Sequence, residues 1–346
     1  MLASAGRAGV PFRAPPMANQ LSLFKGPPSV PGRTSGVGPA RVNGEIAALA
    51  RELPESVRLG TSSWAFPGWA GIVYDRPASE NLLAREGLGA YARHPCLRAV
   101  GIDRTFYAPL PAFDFARYAA QVPAQFRFVV KAPSLVTDAF LRAEQGRPQA
   151  PNQRFLNARF AVEHFVRPAV EGLGDKCGPL LLQFPPLSRD GTQWPARFAA
   201  RLADFLAALP KGPLYAVEVR DNELLADSLA HALNATGARY CFNVHPRMPA
   251  LAEQAQRLAD LAAGPLVARW NLRAGLEYEA AKARYAPFDR LVDDDPATRD
   301  ALARLAAGTV RAGHPVFVTA NNKAEGSAPL TAFKLAAAIR DALTAR

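Results

Sequence analysis

The chain has 346 residues, 49% of them hydrophobic and 21% charged, with a formal net charge of +11. That composition supports a sizeable core and excludes a globally disordered chain. No run of about 18 or more apolar residues offers a membrane span, and no apolar stretch near the start offers a secretory signal, so the expected location is the cytoplasm. Cys96, Cys177 and Cys241 are widely spaced with no C-x-x-C pair, which argues for free thiols in a reducing compartment.

Residues 1–44 hold Arg7, Arg13, Lys25, Arg33 and Arg41 and no acid. They are rich in Gly and Pro and show no sustained period, which predicts a disordered basic tail. The same acid-free, Arg- and Ser-containing composition also fits an organellar transit peptide. Residues 45–346 carry the remaining +6 and are expected to form the folded domain. A basic globule suits anionic partners: nucleic acid, phosphate esters or small acids. Arginines on solvated faces would give the same balance.

From residue 57 onward, short apolar runs alternate with amphipathic stretches. The runs are "VRLGTSS" (57–63), "LRAVGID" (97–103), "FRFVVKA" (126–132), "GPLLLQF" (178–184), "GPLYAVEVR" (212–220), "ARYCFNV" (238–244), "GPLVARWN" (264–271) and "HPVFVTANN" (314–322). Most are near-continuously apolar, as strands buried on both faces should be. Helical patterns lie between them at 154–172, 196–209, 223–236, 250–263, 296–312 and 329–344, with Pro296 and Pro329 at first-turn positions. Eight strands, each followed by a helix or a long connection, predict an α/β fold, a closed (β/α)8 TIM barrel. A doubly wound open sheet is the alternative, but no Gly-rich dinucleotide fingerprint follows any strand.

In such a barrel the chemistry sits at the C-terminal strand ends. Those ends carry Thr61 to Trp64, Asp103 with Thr105, Phe106 and Tyr107, Lys131, Gln183, Glu218 with Arg220 and Asp221, Asn243 with His245, Arg269 with Asn271, and Asn321 to Lys323 with Glu325 beyond. Charges at the inner end of a buried strand are costly unless they meet each other or a ligand. The catalytic candidates are therefore Glu218, Lys131 and Asp103. Glu218 would move a proton or orient Lys131. Arg220 and Arg269 would grip phosphate or carboxylate as forks. Thr61, Trp64, Tyr107, Gln183, Asn271, Asn321 and Asn322 complete the expected substrate-binding set. The competing reading is an ion-pair network that only holds loops in place.

Lys131 admits a Schiff-base role if its amine is depressed, and a permanently protonated, salt-bridged role if it is not. The five histidines, His94, His164, His231, His245 and His314, share no close ligand spacing. No metal or other cofactor is expected, with a single oxygen-bound magnesium at Glu218 and Asp103 left open. Trp64, Phe66, Trp69, Phe106 and Tyr107 would stack on a ring or form an apolar lid.

"GTSSW" (60–64), "TFY" (105–107), "FVVKAP" (128–133), "GPLLLQFPP" (178–186), "AVEVR" (216–220) and "NNKAEGSA" (321–328) resemble, in order, the motifs of the domain of unknown function 72 family, the YecE-like barrels. The resemblance runs from about residue 57 to 344 and implies a (β/α)8 barrel with its site at these strand ends. It implies no reaction. The chain departs from the family pattern at Gly101-x-Asp103, where Glu-x-Asn is usual, at Asp221-Asn222 for His-Pro, at Asn271 within Leu-His-Gly, and at Lys323 for an aspartate. These changes strip acids and histidines from the mouth.

In the tail, Gln20-Leu21-Ser22-Leu23-Phe24 resembles the pentapeptide by which bacterial proteins dock on the DNA-polymerase sliding clamp. Gln20, Leu21, Leu23 and Phe24 would contact the partner, and the tail would act as a tether. A start at Met17 would make the motif near-terminal. Three functions follow as expectations. One is an enzyme acting on an anionic, phosphate-bearing substrate, including DNA or a nucleotide. Another is a non-catalytic clamp-tethered binding protein with a worn barrel site. The last is a metabolic lyase or aldolase using Lys131.

Overall fold

The computed structural model describes residues 36–143, 147–187 and 194–345. The clamp-like motif lies outside them. Among the described residues ten strands form in this order: β1 Val57–Thr61, β2 Ala99–Ile102, β3 Arg127–Lys131, β4 Phe140–Arg142, β5 Pro148–Pro151, β6 Cys177–Gln183, β7 Tyr215–Glu218, β8 Arg239–Val244, β9 Leu266–Trp270 and β10 Val316–Ala320. Eight of them close a parallel barrel in the order β1-β10-β9-β8-β7-β6-β3-β2. These are the eight strands expected from the apolar runs. The antiparallel pair β4 and β5 was not expected, because the short, mostly exposed Phe-Leu-Arg and the Pro-bounded Pro-Gln-Ala-Pro lack a strand pattern.

The helices form where the amphipathic stretches lie. Trp194–Ala207 turns Phe198, Leu202, Phe205 and Leu206 inward. In Pro296–Arg311 and Ala328–Thr344 a proline sits in the first turn, where its missing N–H costs no hydrogen bond. Asp295 caps the former by accepting from the Thr298 N–H. Residues 36–43, expected to belong to the tail, instead pack on the barrel. Val37 and Ala40 are buried, the Ala40 N–H donates to the Val73 carbonyl, and the Gly38 N–H donates to Asp75. A Gly- and Pro-rich composition hid these contacts, which come from two isolated apolar residues rather than a period.

The strand pleat positions the mouth. Val129, Leu181, Ala216, Cys241, Val267 and Phe317 form an apolar cluster separate from the outer core, and they fill the barrel interior. Side chains two residues further along a strand share its face. The next layer toward the C-terminal ends is therefore Lys131, Gln183, Glu218, Asn243, Arg269 and Thr319, followed by Asp103, Arg220, His245, Asn271 and Asn321. A dry floor thus carries a charged layer.

Candidate functional site

Glu218 is fully buried at the end of β7 and is ringed by cations. One carboxylate oxygen pairs with Arg220 and accepts from Asn271 Nδ2 at 3.3 Å; the other meets Arg269 Nη1 at 3.1 Å. Arg269 Nη2 reaches on to Asp103 at 2.5 Å. Burial pushes the Glu218 carboxyl up, but Arg220, Arg269 and Lys131 together outweigh it and hold it below its usual range. Burial opposes the charge on Arg269, yet Asp103 and Glu218 raise its pKa above the ordinary value. The four charged residues, Arg220, Glu218, Arg269 and Asp103, come from β7, β9 and the end of β2, and they form one connected network.

The arginines expected to grip an anion are thus largely committed to carboxylates, although Arg220 Nη1 is buried with no hydrogen-bond partner. Glu218 does not pair with Lys131, as one expectation had it. The magnesium considered at Glu218 and Asp103 would have to displace the Arg269 guanidinium that joins them. Among the described residues no group of three or more His, Cys, Asp or Glu stands ready to hold a metal.

Two lysines at the mouth differ from these arginines. Lys131 Nζ stacks 3.8 Å from the centroid of the Phe106 ring and among the described residues has no carboxylate within salt-bridge distance. Burial, with Arg269 and Arg220 adding repulsion against the attraction of Asp103 and Glu218, lowers its amine to about 8. Lys323 is buried, lies 4.1 Å from the Tyr278 ring centroid and donates to Asn321 Oδ1 at 3.3 Å. It too has no carboxylate partner among the described residues, and burial lowers it to about 8. The expectation of a salt-bridged Lys131 is therefore corrected.

Lys323 and Asp103 face a cleft of about 570 Å³ beside the barrel axis. Its walls are Trp64 and Phe66 after β1, Tyr107 after β2, and Tyr278 and Phe288 from the segment between β9 and β10. That segment is seated on two glycines. A Cβ on Gly68 would lie 1.8 Å from the Pro287 carbonyl oxygen, and one on Gly326 (φ +120°) would lie 2.5 Å from that of Arg290. Only glycine permits either approach. Phe288 holds φ at +73°, rare for a bulky side chain, and packs edge-on against Phe66 with centroids 5.8 Å apart.

The remaining expected site residues divide. Asn321 donates to Ser62 Oγ and lines the cleft, as do Trp64 and Tyr107. Gln183 lies beside Glu218 in the β6–β7 register. Thr61 and Asn322 do not line the cleft. Thr61 Oγ1 contacts the Tyr91 hydroxyl and donates to the Ser63 carbonyl; Asn322 Oδ1 accepts from Trp69 Nε1 and from the Ala328 N–H. Both are structural pins, and Trp69 is wholly buried with them. Glu325 is also turned away from the mouth, toward Arg299 and the Asp295 N–H. Gly101 abuts Ser62, whose carbonyl oxygen would lie 2.9 Å from an added Cβ, so this backbone has no room for a glutamate there. The sequence reading missed Tyr278, Lys282 and Phe288, because the helix Tyr278–Tyr285 buries only Ala281 and Tyr285 and shows no apolar stripe.

A closed eight-stranded parallel barrel with polar side chains converging on its C-terminal rim defines a protein of the TIM-barrel class. Within that class, the chain belongs to the family described as Protein of unknown function DUF72, whose model matches residues 58–345. It is similar in fold to a DUF72 family protein from Enterococcus faecalis V583, at 18% identity and a TM-score of 0.57, over 82% of this chain and 95% of that one. A DUF72 family protein from Thermotoga maritima MSB8 is similar at 19% identity and a TM-score of 0.55, over 81% of this chain and 97% of that one. No curated protein matches the chain significantly. Among the described residues no helix is long and apolar enough to cross a membrane.

Proposed function

We propose that the barrel mouth is the active site of an enzyme acting on a small phosphate-bearing substrate. One observation carries this reading: among the described residues the buried Lys323 and the half-buried Lys131 have no carboxylate within salt-bridge distance, beside a carboxylate network that is already paired. A buried ammonium without a counter-ion is costly, and a bound anion removes that cost. Lys323 receives the phosphate in the cleft. Lys131, next to Asp103 and with its amine near 8, moves a proton. Glu218 is a poor general base, since both its oxygens face guanidinium groups; it positions Arg269 and Arg220 instead.

The test is calorimetric titration of the full chain with inorganic phosphate and ribose 5-phosphate, followed by a turnover screen of phosphate esters. Lys323→Met should weaken binding, and Lys131→Met should keep binding but lose turnover. Phosphate binding untouched by either change would sink the reading.

The unpaired Lys131 amine also supports a Schiff base with a carbonyl substrate. Borohydride would then leave a mass adduct on Lys131 that Lys131→Met lacks. The tail carries a separate proposal, docking on a bacterial sliding clamp through Gln20, Leu21, Leu23 and Phe24, which would place the substrate near DNA or its nucleotides. A labelled peptide of residues 15–30 should bind purified clamp at micromolar concentration and lose binding on Leu23→Ala, Phe24→Ala. Without that binding the tail motif is a coincidence of sequence.

A further inference from the structure

The cleft is more aromatic than a phosphate site requires. Trp64 and Tyr118 meet edge-on with centroids 5.2 Å apart, and Phe66 and Phe288 form the facing wall. At the rim stand Tyr107 and Tyr278, 66% and 56% exposed, the two tyrosines among the exposed large apolar side chains of the described residues. A surface tyrosine usually covers its ring on neighbours. These two stay more than half exposed, and both line the cleft. Tyr278 has Lys323 Nζ at 4.1 Å from its centroid, and Tyr107 touches Phe106 edge-on, the ring on which Lys131 rests. Each rim ring is therefore one contact away from an unpaired ammonium. Asp103 and Glu80 supply acceptors on the same cleft.

We propose that the substrate joins its phosphate to a flat heteroaromatic ring, as a nucleoside monophosphate does, with the ring held at the Tyr107–Tyr278 rim and the phosphate at Lys323. This rests on the reading of the mouth as a phosphate site and adds the class of molecule attached. The volume, about 570 Å³, lies within the range of small-molecule sites, roughly 300–1,000 Å³. Stacking on an aromatic side chain tolerates any base, so the rim selects for a ring rather than for one base. Discrimination among rings falls to Asp103 and Glu80, which accept from ring amino groups or sugar hydroxyls. A sugar phosphate would satisfy the polar groups and leave the tyrosine rings exposed.

The experiment is calorimetry of the full chain with the four common nucleoside 5′-monophosphates, ribose 5-phosphate and inorganic phosphate. At least one nucleoside monophosphate should bind tenfold or more tightly than ribose 5-phosphate. Tyr107→Ala and Tyr278→Ala, at exposed positions, should each remove at least fivefold of that gain, read as the ratio of monophosphate to ribose 5-phosphate affinity because Tyr278 also packs on Lys323. Equal affinity for ribose 5-phosphate and all four monophosphates, or tyrosine variants with full affinity, would overturn the ring assignment and leave the phosphate site standing. Failure of every phosphate to bind would overturn both.

Discussion

The arginines and the lysines at the mouth of this barrel share one environment and have opposite fates. Arg220 and Arg269 meet Glu218 and Asp103, and the charges cancel within the chain. Among the described residues Lys131 and Lys323 meet aromatic faces and an amide oxygen, with no carboxylate within salt-bridge distance. The first group ties the strands of the mouth together; the second leaves charge that the proposed phosphate would complete. Strand-end position alone does not separate these roles. Partnership does.

The largest test removes the anion at the centre of the connected network. Glu218→Gln keeps the shape and leaves two buried guanidinium groups facing a neutral amide, so unfolding free energy should fall by roughly 3–5 kcal/mol. Denaturant titration measures it, and a loss under about 1 kcal/mol would show the network to be loose. The open group should respond in the opposite sense. Lys131 titrates near 10.5 in an unfolded chain and near 8 in the fold, so between those values the unfolded state holds more protons and stability rises with pH. Below 8 the folded protein bears the full cost. Lys131→Met should therefore stabilise the protein at pH 7 by up to about 3 kcal/mol, a gain that fades as pH climbs from 8 to 10.5. A destabilised variant would mean that the lysine is paired after all.

A smaller effect separates pins from site. Asn322→Ala strips the hydrogen bonds from Trp69 and the Ala328 N–H and should cost about 1–3 kcal/mol of stability, with phosphate affinity intact. Loss of affinity at full stability would return Asn322 to the binding set. Lys323→Met should weaken phosphate binding about tenfold, equivalent to about 1.4 kcal/mol. In the native protein that affinity should rise as the phosphate takes its second charge, about pH 6–7, and decline above pH 8, as both amines lose their protons. Binding that goes on strengthening above pH 8 would show that the two amines do not hold the phosphate.

The barrel was legible because its strands are buried on both faces and read as continuous apolar runs. The strand-end rule then named Lys131, Glu218, Arg269 and Asp103 without a structure. Pairing was not legible. Whether Arg269 bridges Glu218 to Asp103 depends on register between β7 and β9, two strands that are not neighbours. Thr61 and Asn322 sit at strand ends like the rest, yet contacts with Tyr91 and Trp69 turn them inward. The far wall of the cleft lies on a segment whose helix buries two residues, too few to leave a period. Its signals were single glycines, Gly68 and Gly326, which look ordinary until another backbone is seen against them.

Those two glycines bear on how fast a ligand arrives. Pro287 and Arg290 rest directly on their backbone, which ties the wall carrying Phe288 to the barrel at two points. A ligand of the proposed site is then expected to exchange past the rim tyrosines. Stopped-flow association should then be a single exponential whose rate rises linearly with ligand concentration and reaches no plateau, the signature of a site that is already formed when the ligand meets it.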